Sequence, residues 1–214
     1  MSLDAFAARY RALFALLGPP LQPEDGVNSD NLEHFNLEGM RLPEALRAYY
    51  LVAGNERRLN HSFNRLLALE DMFVEAGRLV FMEENQNVVY WGVSSEDANP
   101  TVEQGINLHP EPLEWHSESV NCAEFLEVTL VWQASFGGGS KHCVTAPVTP
   151  DVRQRLEASV ALMGKMNELS VYAQDGCALS VLKWDDGWRV FAGFHTRKAQ
   201  TSLGREIGVR WEEL

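Results

Sequence analysis

A mixed fold, with amphipathic helices laid on short strands joined by tight turns, is the architecture this sequence predicts. Three observations carry it. Leu3, Phe6, Ala7, Tyr10, Leu13, Phe14 and Leu17 recur at helical spacing, and Leu42, Leu46, Tyr49, Tyr50 and Ala53 do so again. Residues 79–93, LVFMEENQNVVYWGV, set two β-branched and aromatic runs around a polar centre, the pattern of two strands and a turn. Residues 178–184 and 188–194 flank Asp185-Asp186-Gly187, a strong hairpin signal.

The elements follow in order. Ser2 caps the first helix, which Gly18-Pro19-Pro20 ends. Residues 19–41, with Glu24, Asp25, Asn28, Asp30 and Asn31, read as a long surface loop. The second helix takes Pro43 as its first residue and stops at Gly54-Asn55. Strands are expected over 65–69, 79–82, 88–93 and, more weakly, 101–106. Asn121 with Glu124 three residues on is a capping box, so residues 122–136 read as a helix ending near Gly137. Leu126, Val128, Leu130 and Trp132 also alternate as in a strand, and the cap and glycine stop decide between the two. Gly137-Gly138-Gly139-Ser140 reads as a flexible joint. Thr149-Pro150 opens a helix with Val152, Leu156, Val160 and Met163 on one face, and 207–211 suits a last strand.

The 214 residues fit one domain, or one with a modest extension, and a hydrophobic fraction of 45% can bury a core. A net charge of −12 repels nucleic acid and anionic membrane and suits a basic partner, although solubility alone also favours acidity. Cys122, Cys143 and Cys177 are odd in number and form no CxxC, so buried thiols in a reducing compartment are expected. Asp4, Arg9 and Arg11 interrupt any signal-peptide core, and no apolar run is long enough to span a bilayer. A cytoplasmic location is expected, and Asn60-His61-Ser62 would then be no glycosylation site.

Chemistry-bearing patterns are sparse. Glu83 and Glu84 are adjacent, so in an extended segment they point to opposite faces and do not converge on one substrate. They read as a solvated turn or as an acidic contact surface. The six histidines form no HExxH; His34 and Glu38 stand four apart in a loop, and His142-Cys143 is the one adjacent soft-ligand pair. Gly137 to Lys141 lacks the spacing of a phosphate-binding loop, and no GxSxG elbow occurs. No catalytic residue, metal or cofactor is therefore expected. Of the six tryptophans most should pack the core, with one or two available to anchor a partner.

Taken together, LPEALRAYYLVAGN (42–55), NRLLALEDM (64–72) and LVFMEENQNVVYWGV (79–93) resemble the SUKH superfamily, which includes Smi/Knr-type regulators of cell-wall synthesis and many bacterial immunity proteins. The resemblance runs from about Leu42 to Gly139. It implies an α+β fold with helices packed on a mainly antiparallel sheet over residues 1–140. Residues 141–214 lie outside the family core and, from their own helix and hairpin signals, read as a C-terminal helix plus β-hairpin extension packed on the same domain. It also implies a non-enzymatic binding module, most simply an immunity-type protein that neutralises a toxin domain; a scaffold or regulator of the Smi/Knr kind is the alternative. Nuclease toxins present basic surfaces, which an acidic inhibitor attracts. Glu70, Asp71, Glu75, Glu83, Glu84, Glu96, Asp97 and Glu103 make the middle of the chain acidic. Glu83, Glu84, Asn85, Gln86, Trp91, Glu96 and Asp97 are the candidate partner-binding residues.

Overall fold

The computed structural model describes residues 1–94, 97–108, 112–184 and 187–214. Its fold is α+β, built on two six-stranded sheets whose paired strands all run antiparallel. Helix α1 (Leu3–Leu17) starts at Ser2, whose hydroxyl accepts from the Ala5 N–H, and stops at Gly18. A short helix α2 (Ser29–Glu33) interrupts the expected loop. Helix α3 (Glu44–Ala53) places Pro43 at its cap position, one residue earlier than expected, and is followed by a single turn, α4 (Arg57–Asn60). Helices α1 and α3 meet through Tyr10 and Tyr49, whose ring centroids are 5.3 Å apart, and the Tyr10 hydroxyl donates to the Ala45 carbonyl.

The first sheet contains β1 (Arg65–Leu66), β2 (Phe73–Glu75), β3 (Arg78–Glu83), β4 (Val89–Val93), β5 (Thr101–Ile106) and β6 (Glu114–Asn121). Its order is β1-β3-β4-β5-β6, with β2 also paired to β3. The strand expected over 65–69 is only two residues long, because the chain turns into a 3₁₀ segment at Leu69–Asp71. Strand β6 was not foreseen: its sequence, EWHSESVN, is polar because much of it is exposed at the sheet edge.

Helix α5 (Cys122–Ser135) has the expected capping box, the Asn121 side chain accepting from Glu124 N–H and the Glu124 carboxylate from Asn121 N–H. It is buried nearly all round, which explains its ambiguous pattern: both the helical and the alternating sets of apolar residues face protein. On one side Phe125 packs on Phe81 and Trp91, and Trp132 on Trp91 and Phe63. On the other, the Ser135 and Ser180 hydroxyls are 2.7 Å apart and Phe136, just past the helix, stacks on Phe191.

The second sheet, ordered β12-β7-β11-β10-β9-β8, comprises β7 (His142–Pro147), β8 (Ala161–Met166), β9 (Leu169–Gln174), β10 (Cys177–Trp184), β11 (Gly187–Phe194) and β12 (Glu212–Glu213). The described residues of 141–214 thus hold more than a helix and a hairpin: six strands and two helices, α6 (Pro150–Ser159) and α7 (Arg197–Ile207). The expected hairpin is β10–β11, in register from Cys177↔Phe194 to Trp184↔Gly187; Asp185 and Asp186 lie outside the described residues. Helix α6 ends at Ser159, so Met163 sits in β8 and not on a helix face. The strand expected over 207–211 is also corrected. Ala199, Leu203 and Ile207 form a helical stripe ending at Gly208, whose φ of 74° closes α7, and pairing resumes only at Glu212.

Gly137-Gly138-Gly139 form a packed turn where a joint was expected. Gly137 and Gly139 have φ of 115° and 74°, and a Cβ on Gly138 would lie 2.6 Å from Leu59 Cδ2. The layers are therefore first sheet, α5 with α1 and α3, second sheet, then α6 and α7, whose Leu156, Leu203 and Ile207 join Tyr172, Leu179 and Phe194 in a second core.

Candidate docking surface

Strand pairing decides which side chains share a face. The pairs Glu83↔Tyr90↔Gly105↔Trp115 and Phe73↔Val80↔Gly92↔Glu103 place these residues on the outer face of the first sheet, opposite α5. Phe73 and Tyr90 meet edge to face at 5.4 Å. The Trp115 ring lies over two glycines: a Cβ on Gly105 would come within 3.0 Å of it. Arg78 lies 5.2 Å above that ring and donates to both Glu103 oxygens, at 3.2 and 3.0 Å. Those hydrogen bonds hold the Glu103 carboxyl below its usual range. Arg65 donates to Glu83 at 2.6 Å and to Asp71 at 3.2 Å, and the Glu83 bond raises the guanidinium pKa further.

At one end of this face the β3–β4 turn closes tightly. Glu84 N–H donates to Val89 carbonyl, Asn87 N–H to Glu84 carbonyl, and Asn87 adopts φ 60°. The Glu84 carboxylate accepts from Gln86 N–H at 2.7 Å. Asn85 and Gln86 are exposed, and Val88 (42% exposed) and Leu108 (66%) flank the same end, where Asn107 N–H donates to Val88 carbonyl. Two exposed aliphatic side chains beside an amide-rich turn suit a protein contact.

The seven residues expected to bind a partner are therefore dispersed. Glu83 lies on the outer face, engaged by Arg65; Glu84, Asn85 and Gln86 form the turn. Trp91 points the other way, is 4% exposed, and donates its indole N–H to Glu118 at 2.6 Å. It is a core residue. Asp97 is exposed beyond the opposite end of β4, and Glu96 lies outside the described residues. Phe73, Arg78, Tyr90, Val88, Leu108 and Trp115 were missed. Alternation along β4 could have flagged Tyr90; Leu108 stands in a stretch with no motif at all, and the Trp115 segment gave no sign of which face its ring takes.

A second concavity, an open cleft of about 930 Å³, lies between α2, the end of α3 and residues 68–70. Three of its polar side chains serve the chain itself: Asn28 caps α2, Asn55 donates to Gly26 and Glu24 carbonyls, and His34 Nδ1 lies 2.7 Å from Asp30 carbonyl. Among the described residues no group of three or more His, Cys, Asp or Glu is placed to hold a metal ion, and no helix is long and apolar enough to cross a membrane. Cys122 and Cys177 are buried thiols, each pushed up to about 12 by desolvation. Comparison with known proteins gives no match to a family model, a curated protein or a solved structure.

Proposed function

We propose that this chain acts by docking another protein on the outer face and β3–β4 end of its first sheet, as an immunity-type protein that neutralises a basic toxin domain. The observation carrying this reading is the asymmetry of the layers. Helices pack on the inner face of the first sheet and on both faces of the second, while the outer face of the first sheet holds Phe73, Tyr90 and Trp115 half-buried between ion pairs. Charge supports it: residues 1–140 hold 21 Asp and Glu against 8 Lys and Arg, and residues 141–214 hold 9 against 10. The SUKH resemblance of residues 42–93 points the same way. One observation favours a Smi/Knr-type scaffold or regulator instead: Arg65 and Arg78 neutralise acids on the face itself, which suits a less basic partner.

Affinity capture with the wild type and with Val88→Asp/Leu108→Asp, both exposed positions, tests the surface. The wild type should retain a protein that the double variant loses at unchanged thermal stability. Equal capture by both would remove this face from the reading. Calorimetry of the captured pair across ionic strength then separates the two roles. A steep loss of affinity with salt supports a basic toxin, a shallow one a regulator.

A further inference from the structure

The last helix carries a charged face that docking on the first sheet does not use. Leu203 and Ile207 anchor α7 in the second core. Its outer side chains, Arg197, Lys198, Thr201, Ser202, Arg205 and Glu206, line one open groove of about 710 Å³. Arg9, Arg47, Arg58, Arg65 and Arg78 each meet a carboxylate. Among the described residues Arg197, Lys198 and Arg205 meet none, and Glu206 is the single acid beside them. Arg197 and Arg205 stand eight residues apart, two helical turns, so they mark out a row about 12 Å long.

We infer that this cationic row docks on the acidic part of a second copy of the chain. The complement is within the molecule, in the excess of 21 acids over 8 bases across residues 1–140. A nucleic acid would run past both ends of so short a row. A membrane surface would find only hydroxyls between the cations, with no exposed apolar side chain to insert. A compact acidic surface matches the size of the row. In a two-fold dimer each copy would supply both the row and its complement, so the contact would form twice.

Sedimentation of the intact chain tests this without any toxin or regulator present, so the outcome is independent of the reading above. At about 0.01 M salt, where the screening length is about 30 Å, the wild type should sediment as a dimer; at about 1 M, where it is about 3 Å, as a monomer. Arg197→Glu/Lys198→Glu/Arg205→Glu should weaken self-association by at least about 100-fold with an unchanged circular dichroism spectrum. Glu206→Gln should strengthen it. A wild type that stays monomeric at low salt overturns the inference, as does a triple variant that associates like wild type. Binding of an RNA oligonucleotide or a phosphatidylserine vesicle by a chain that remains monomeric overturns it too.

Discussion

Glu118 shows how one residue can join the two sheets. It is 3% exposed, in β6 where the register with β5 shifts, and next to Ser119 at φ 61°. Its carboxylate accepts from Trp91 Nε1 at 2.6 Å and from Asn167 Nδ2, in the β8–β9 turn, at 2.5 Å. Burial raises its pKa, and the two hydrogen bonds only partly offset that. The native state therefore holds this proton to higher pH than the unfolded chain does. The stability Glu118 contributes is complete below the ordinary carboxylate range and is lost as pH rises through the raised value. Glu118→Gln should flatten that part of the stability-versus-pH curve in denaturant melts. Glu118→Ala leaves both donors unpaired and should cost about 1–3 kcal/mol. Nothing in EWHSESVN distinguishes Glu118 from Glu114, because its partners lie 27 and 49 residues away. Trp91 was expected at a partner surface, and only the strand pairing that sets it opposite Met82 shows that it points inward.

Among the elements, α5 was read best, through Asn121, Glu124 and the glycines that end it. Its polar clamp was not. Gln133 is 2% exposed; its Oε1 accepts from the Phe63 and Asn64 N–H groups at 3.1 and 2.8 Å, and its Nε2 donates to Asn64 carbonyl at 2.6 Å. The segment between α4 and β1 thus satisfies its backbone on a side chain instead of a neighbouring strand. Gln133→Ala should cost about 3 kcal/mol or more in chemical unfolding, against well under 1 for the exposed Gln86→Ala. A loss no greater than that of Gln86→Ala would show the clamp to be dispensable. Local signals, namely caps, glycine stops and period-two runs, carried α1, α3, α5, α6, β3, β4 and the β10–β11 hairpin. They failed for β2 and β6, too short for a period or defined by partners far along the chain, and gave β1 only in its first two residues; α7 was missed although Ala199, Leu203 and Ile207 carry a helical period.

For the whole molecule, the mixed fold was legible from alternating helix and strand patterns, but the number of layers was not. A second sheet requires β7, β8 and β9; β8 is exposed and broken by Gly164, while β7 and β9 are short, largely buried runs. The docking face emerged only from pairing register, which brings Phe73, Tyr90 and Trp115 together from three separate segments. Its test belongs at this scale. Glu84→Lys, near the solvent-facing turn, should slow association with a captured basic partner at low salt while leaving dissociation nearly unchanged, as stopped-flow mixing would read. Equal association rates would remove long-range attraction from the account. One feature also bears on how the protein breathes. Because α5 is wrapped by strands from both halves of the sequence, its amides can meet solvent only when both let go together. In heavy water those amides should be the last to exchange, at the rate of whole-chain opening, and a fragment ending at Ser140 would leave one side of that helix wet and prone to clump.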